Sequence, residues 1–297
     1  MKIVITGATG FIGRRLQRSL SGADEIAVVC RKAPAGLAGK LRVIEGDLNE
    51  PDSLEGALKA FRPDACVHLA WEGIPDYGFE MSRRNLGQGT ALFRLLTEEC
   101  GCRKIVSMGS CWEYGQSYGA CREDVLAPVN SYFAWAKRSL CDFGMTLAAK
   151  NGTSFIWLRG FFIYGPGQKE TSLIPVMASA LLRGETPVIR TPWNANDFIY
   201  VDDVSEAIVR AVKEEIPSGA YNLGTGAAVN VWKVCMELEK AMGRRPVQAA
   251  ALEAARTKAT ADFWADTSRA RTIFGWRART GIESGIRQYL KSLEVKV

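Results

Sequence analysis

The chain has 297 residues, enough for one large domain or two, and its 47% hydrophobic and 24% charged residues are ordinary for a globular protein. A net charge of +6 without a long Lys/Arg run makes no case for nucleic acid, and no apolar stretch reaches the ~18 residues of a membrane span. Eight scattered cysteines without a C-x-x-C pair, and a single histidine, argue against a metal site and for reduced thiols in a cytoplasmic protein.

The chain opens on the apolar run Ile3, Val4, Ile5, which suits a strand buried on both faces rather than a signal peptide. Gly7, Gly10 and Gly13 follow, and a helical pattern starts at Arg14. In a strand–turn–helix context such glycines have separate uses: Gly7 for a sharp turn, Gly10 for contact between backbone and pyrophosphate, Gly13 for close helix–strand approach. The helix N-terminus, with unpaired N–H groups, favours the phosphates. Further strands are expected at 25–30, 41–44, 65–69, 104–108 and 154–158, and helices at 52–61 (capped by Ser53), 85–100 and 132–150. This alternation argues a doubly wound parallel sheet. His68, inside the fourth strand, reads as a packed core histidine.

After Gly165-Pro166-Gly167 the rhythm breaks. Helices are expected at 173–183, 204–212 and 231–242, and strands at 187–190, 197–201 and 221–223. Residues 1–167 are therefore read as a nucleotide-binding domain. Residues 168–297 are read as a smaller α/β substrate-binding part from which segments such as 221–223 return to the main sheet.

The ordered motifs GATGFIG at 7–13, GDL at 46–48, HLAW at 68–71, GSCWEYG at 109–115, RGFFIYGPGQ at 159–168, DFIYVDDV at 197–204 and YNLGTG at 221–226 run nearly end to end. In these the chain resembles an extended short-chain dehydrogenase/reductase of the NAD-dependent epimerase/dehydratase group, the enzymes that remodel nucleotide sugars. The resemblance implies a Rossmann fold. It places Gly7, Gly10, Phe11, Ile12 and Gly13 against a dinucleotide, Asp47 and Leu48 around adenine, and Leu69 and Ala70 under the phosphates and ribose. NAD-preferring relatives carry an acid at the end of the second strand. Here Cys30 stands there, followed by Arg31 and Lys32, which suit a 2′-phosphate and favour NADP over NAD.

The resemblance also implies a Ser/Thr, Tyr, Lys set, with Ser110 as hydroxyl residue and Lys137 holding the nicotinamide ribose. Dehydrating relatives carry Asp-Glu after that hydroxyl. Cys111 and Trp112 occupy those places, which argues against dehydration. The Tyr-Lys spacing departs from the family. Residues i and i+4 differ by about 40° round a helix, so the partner of Lys137 should be at 133, which is Phe133. Tyr132, at i+5, would point about 140° away. The ungapped register S-Y-F-A-W-A-K favours Phe133 in the catalytic place. A shifted helix start would instead let Tyr132 serve. With Phe133 there the site keeps the ring and lacks the acid, as a Tyr→Phe variant of an active enzyme would; a natural redox-silent homologue is the alternative.

On the substrate side, Trp71, Cys111, Trp112, Phe162, Arg190 and Trp193 are the candidates, with Tyr164, Tyr200 and Arg159 as further groups that either face the pocket or belong to the core. Asp202 and Asp203 read as helix-capping acids, and Asn196 stands where many relatives have Arg. The expected function is NADP-linked reduction of a nucleotide-diphosphate 4-keto(-6-deoxy) sugar. The rivals are a 4-epimerase with tightly bound NAD and a non-catalytic NADP(H)- or sugar-nucleotide-binding protein. The resemblance implies a homodimer through a bundle of the two long helices of the first half, which the apolar positions of 91–96 and 139–147 permit.

Overall fold

The computed structural model describes residues 1–20, 24–33, 41–115, 118–244 and 262–294. Among these, seven strands form the main sheet: β1 (Lys2–Thr6), β2 (Glu25–Cys30), β3 (Leu41–Glu45), β4 (Ala65–His68), β5 (Lys104–Ser110), β6 (Ser154–Gly160) and β7 (Gly219–Leu223). Their order is β3-β2-β1-β4-β5-β6-β7, every neighbouring pair parallel. The order reverses between β1 and β4, which opens a crevice at the carboxyl ends of those strands.

The strands are apolar on both faces because the sheet separates two cores. Ile3 and Ile5 face one core and Val4 the other; Ile156 and Leu158 alternate with Phe155 and Trp157 in the same way. The first core is covered by α1 (Phe11–Ser19) and α6 (Val201–Lys213). The second is covered by α2 (Asp52–Phe61), α3 (Phe79–Arg94) and α4 (Tyr132–Asn151). A third core joins α5 (Leu173–Leu182), α7 (Val231–Ala241) and α8 (Ile282–Ser292) to the parallel pair Phe162–Tyr164 and Phe198–Tyr200. Thus α6 and β7, late in the chain, belong with the main sheet.

Several local expectations are corrected. Helix α3 starts at Phe79, six residues before the expected 85, and passes into a π-turn at Leu95–Glu99. Its buried face begins with Ser82, Asn85 and Gln88, polar groups that conceal the helical period. Ser53 does not cap α2: it lies inside the first turn, and its Oγ accepts from the Asp47 N–H at 3.1 Å. Residues 187–190 form no strand. The apolar positions of 91–96 and 139–147, read as a dimer face, are largely spent inside: Leu92, Phe93, Leu96, Leu140 and Leu147 fill the second core. No helix among the described residues is long and apolar enough to cross a membrane.

Candidate active site

The crevice is a cleft of about 520 Å3 lined by the carboxyl ends of four strands: Gly7, Thr9 and Gly10 after β1, Val29 to Arg31 at β2, Gly46 to Leu48 after β3, and Leu69 to Gly73 after β4. Gly7 has φ +69°, and a Cβ there would lie 2.6 Å from the Ala70 nitrogen. A Cβ at Gly13 would meet the Gly7 carbonyl oxygen at 2.3 Å, so α1 reaches the strand only because that residue is glycine. No side chain caps α1. Its N-terminus opens beside bare backbone, a cradle whose chemistry fits a dinucleotide diphosphate. Thr6 Oγ1 meets His68 Nδ1 at 2.8 Å and accepts from the Ala70 N–H at 3.3 Å, which ties the glycine turn to the floor of the cleft. Burial, with the Lys137 charge adding to it, depresses His68 to about 3, so it is the neutral packed imidazole expected.

Helix α4 settles the orientation of its first turn. Ser131 caps it, accepting from the Ala134 N–H at 3.2 Å. Phe133 is then 7% exposed and turned inward, with its ring centroid 5.4 Å from Trp71, 5.2 Å from Tyr77 and 5.9 Å from Trp112. Tyr132 is 55% exposed and packs on Phe79 at a separate surface groove. Phe133, not Tyr132, thus shares the inner face of α4 with Lys137. Lys137 Nζ donates to the Met108 carbonyl at 2.8 Å and sits 3.8 Å from the Trp71 ring centroid, a cation–π contact.

Burial lowers the Lys137 ammonium to about 7, Glu113 acting in the opposite sense. Unfolded, the same amine holds its proton up to an ordinary 10.5. Between these values the unfolded chain binds one proton more than the folded one, so the burial penalty is full below pH 7 and is relieved as pH rises toward 10.5. Denaturant unfolding followed from about pH 7 to about pH 10 is expected to show a stability gain in this chain that Lys137→Met lacks.

Ser110 ends β5. Its Oγ accepts from the Trp112 N–H at 3.2 Å, and its own N–H donates to Glu113 at 2.7 Å. Glu113 is wholly buried and accepts from Arg159 Nε at 2.8 Å and from Trp157 Nε1 at 3.0 Å. Arg159 also donates to the Tyr114 hydroxyl and to the Glu123 carbonyl, and Tyr114 donates to Asn222 Oδ1 at 2.6 Å. Arg159 is therefore a structural ion pair behind the serine and not a pyrophosphate ligand. A second buried node is Asp197, which accepts from the Thr225 N–H and hydroxyl, the Gly226 N–H and the Ala265 N–H. It fixes the Y-N-L-G-T-G loop beside β7.

The remaining candidates divide. Gly7, Gly10, Arg31, Asp47, Leu48, Leu69, Ala70 and Trp71 line the cleft; Phe11 and Ile12 open α1 next to it, half-buried. Lys32 is exposed and is not among the lining residues. Cys111 is buried with Tyr114, Cys121, Phe161 and Ala265, away from the cleft wall. Tyr164 and Tyr200 pack edge to face in the third core. Phe162 packs on Phe198 and Phe263, and Trp193 on Trp232; Arg190 is exposed. Asp202 and Asp203 do not cap α6: Asp202 pairs with Arg15, and Asp203 accepts from the Thr280 N–H. All eight cysteines are free. The sequence reading missed Glu72, Tyr77 and Gln88, each on or under the loop after β4. Only the E-Y-G motif carried a signal for Glu113.

Residues 3–224 match the model of the NAD dependent epimerase/dehydratase family. A UDP-glucose 4-epimerase 3 from Oryza sativa subsp. japonica is 27% identical, over 95% of this chain and 86% of its own length. A dTDP-6-deoxy-L-talose 4-dehydrogenase (NAD(P)(+)) from Kitasatospora kifunensis is 27% identical, over 97% of this chain and 94% of its own. The solved structure of MoeE5 in complex with UDP-glucuronic acid and NAD superposes with a TM-score of 0.81, at 27% identity and 99% coverage of both chains. The family match spans about three quarters of the chain, and the chain belongs to the NAD-dependent epimerase/dehydratase family of extended short-chain dehydrogenases/reductases.

Proposed function

We propose that this chain is a pyridine-nucleotide-linked oxidoreductase of a nucleoside-diphosphate sugar, with reduction of a 4-keto-6-deoxy sugar as the favoured reaction. The observation that carries this reading is the anchoring of Lys137 on Met108, two residues before Ser110, and against Trp71, which lines the cleft together with Leu69 and Ala70. The relative named as a 6-deoxy-talose 4-dehydrogenase supports redox at C4 of a 6-deoxy sugar.

When bound, the dinucleotide supplies a hydride at C4 of its nicotinamide. Gly7 and Gly10 admit its diphosphate to the backbone, and the α1 N-terminus favours the negative charge. Asp47 and Leu48 frame the adenine. Lys137 fixes the ribose, and the Ser110 hydroxyl donates to the sugar carbonyl. Trp112 and the buried Cys111 offer no acid–base pair for losing water, which supports redox over dehydration. Phe133 stands where a proton donor belongs, so the chain binds and orients substrate with little turnover. A non-catalytic binding role is the limit of that trend.

NADP suits the cations Arg31 and Lys32 after β2, but the Glu72 carboxylate lies 3.4 Å from Arg31 at the cleft wall, and that negative charge favours NAD. A 4-epimerase retaining NAD is the second reading, supported by the epimerase relative. A homodimer through α3 and α4 belongs to the proposal: the exposed rings of Phe79 and Tyr132, beside Trp135, supply an apolar face. Eight unpaired thiols suit the cytoplasm. Mass spectrometry of small molecules released from the purified protein, followed by incubation with NADH or NADPH and a 4-keto-6-deoxy sugar nucleotide, tests the reading. Bound dinucleotide and slow loss of reduced nicotinamide are expected. Tight, non-exchanging NAD with sugar inversion would favour the epimerase, and a chain that binds no dinucleotide would overturn the proposal.

A further inference from the structure

The cleft wall contains a carboxylate that the motif pattern does not place there. Glu72, in the loop after β4, lines the cleft together with Cys30, Arg31, Gly46 and Asp47, the group that surrounds its β2–β3 end. Its position is built from buried groups. Asn85 Oδ1 accepts from the Glu72 N–H at 2.7 Å, and Asn85 Nδ2 donates to the Glu72 carbonyl at 3.2 Å. Gln88 Nε2 donates to Glu72 Oε2 at 3.2 Å and to Asn49 Oδ1 at 2.9 Å. Asn85 and Gln88 are both buried in α3. The other carboxylate oxygen, Oε1, lies 3.4 Å from Arg31 Nη1.

Resting on the dinucleotide reading above, we propose that Glu72 is the residue that selects the dinucleotide at the adenosine ribose, accepting the unphosphorylated diol and rejecting a 2′-phosphate. Strand β2 ends in Cys30, so no carboxylate comes from that strand; one arrives from the neighbouring loop. A ribose diol donates to a carboxylate at no electrostatic cost. A phosphate dianion placed there meets Arg31 and Glu72 together, and the attraction of the first is offset by the repulsion of the second. The Arg31 guanidinium is 73% exposed on its side chain, so its own pairing with Glu72 is weak, and what matters is the like charge held by Gln88. An arginine after β2 therefore does not by itself make this an NADP site.

The test is equilibrium binding of NAD and NADP to the whole chain, read by calorimetry or by quenching of tryptophan fluorescence. The parent protein is expected to bind NAD about tenfold or more tightly than NADP. Glu72→Gln, which removes the charge and keeps an acceptor, is expected to shift the ratio of dissociation constants toward NADP by about tenfold, mainly through tighter NADP. Adding Arg31→Leu should cancel that gain. A folding defect would lower both affinities together and leave the ratio where it was. A parent that prefers NADP, or a Glu72→Gln variant that keeps the parent's NAD affinity and leaves the ratio unchanged, would overturn the assignment. Binding of neither dinucleotide to the parent would instead remove the dinucleotide reading on which it rests.

Discussion

Phe133→Tyr is expected to raise hydride transfer to a keto-sugar nucleotide by about 10²- to 10⁴-fold, the usual worth of a positioned general acid. The new phenol would lie one helical turn before Lys137 on the inner face of α4, within the ring of Trp71, Tyr77 and Trp112. The Lys137 charge would favour phenolate there, and because burial brings that ammonium to about 7, the gain should vary with pH across neutrality. Tyr132→Phe should leave turnover unchanged in either background, since the Tyr132 ring lies outward on Phe79. Single-turnover rates with reduced dinucleotide and a 4-keto sugar nucleotide decide the matter. No gain at 133 would support the non-catalytic role, and a loss at 132 would restore the shifted-helix register.

Arg159→Met is expected to destabilise the fold by about 3–5 kcal/mol, the range seen when one partner of a buried ion pair is removed. The reason lies in what stays behind. Glu113 is fully buried and would retain only Trp157 Nε1 and the Ser110 N–H as donors, while the Tyr114 hydroxyl and the Glu123 carbonyl each lose a partner. Adding Glu113→Gln to Arg159→Met should recover part of the loss, because it removes the stranded charge. A shift in the urea midpoint with an unchanged slope measures both. A loss below about 1 kcal/mol would mean that water or a moved side chain satisfies Glu113.

The sheet could be read from the sequence because its strands other than the edge strand β3 are sealed on both faces, which leaves short apolar runs between glycines and polar turns. Helix α3 was misplaced for the opposite reason. Its first three turns bury Ser82, Asn85 and Gln88, the last two holding the loop after β4, so burial there does not follow hydrophobicity. The same disconnect hid Glu72, whose importance depends on partners 13 and 16 positions away. The glycine turn was legible because backbone geometry is a local property, whereas Ser110 and Lys137 became candidates only through the resemblance to the family. The sequence left the register of α4 open between Phe133 and Tyr132, and it is the Ser131 cap in the structure that goes with Phe133 facing inward. The aromatic candidates of the second half were not. Tyr164, Tyr200 and Phe162 share the composition of a sugar platform and of a core, and only packing separates the two.

The outermost strand of the main sheet is made from residues 219–223, some sixty positions after the strand it covers. A nascent chain that has left the ribosome only as far as Gly160 therefore carries Phe155, Ile156, Trp157 and Leu158 along an open border, with unpaired peptide groups ready to accept a foreign strand. Synthesis of this protein has a vulnerable interval that closes only when β7 emerges, and slow translation between residues 160 and 219 would lengthen it.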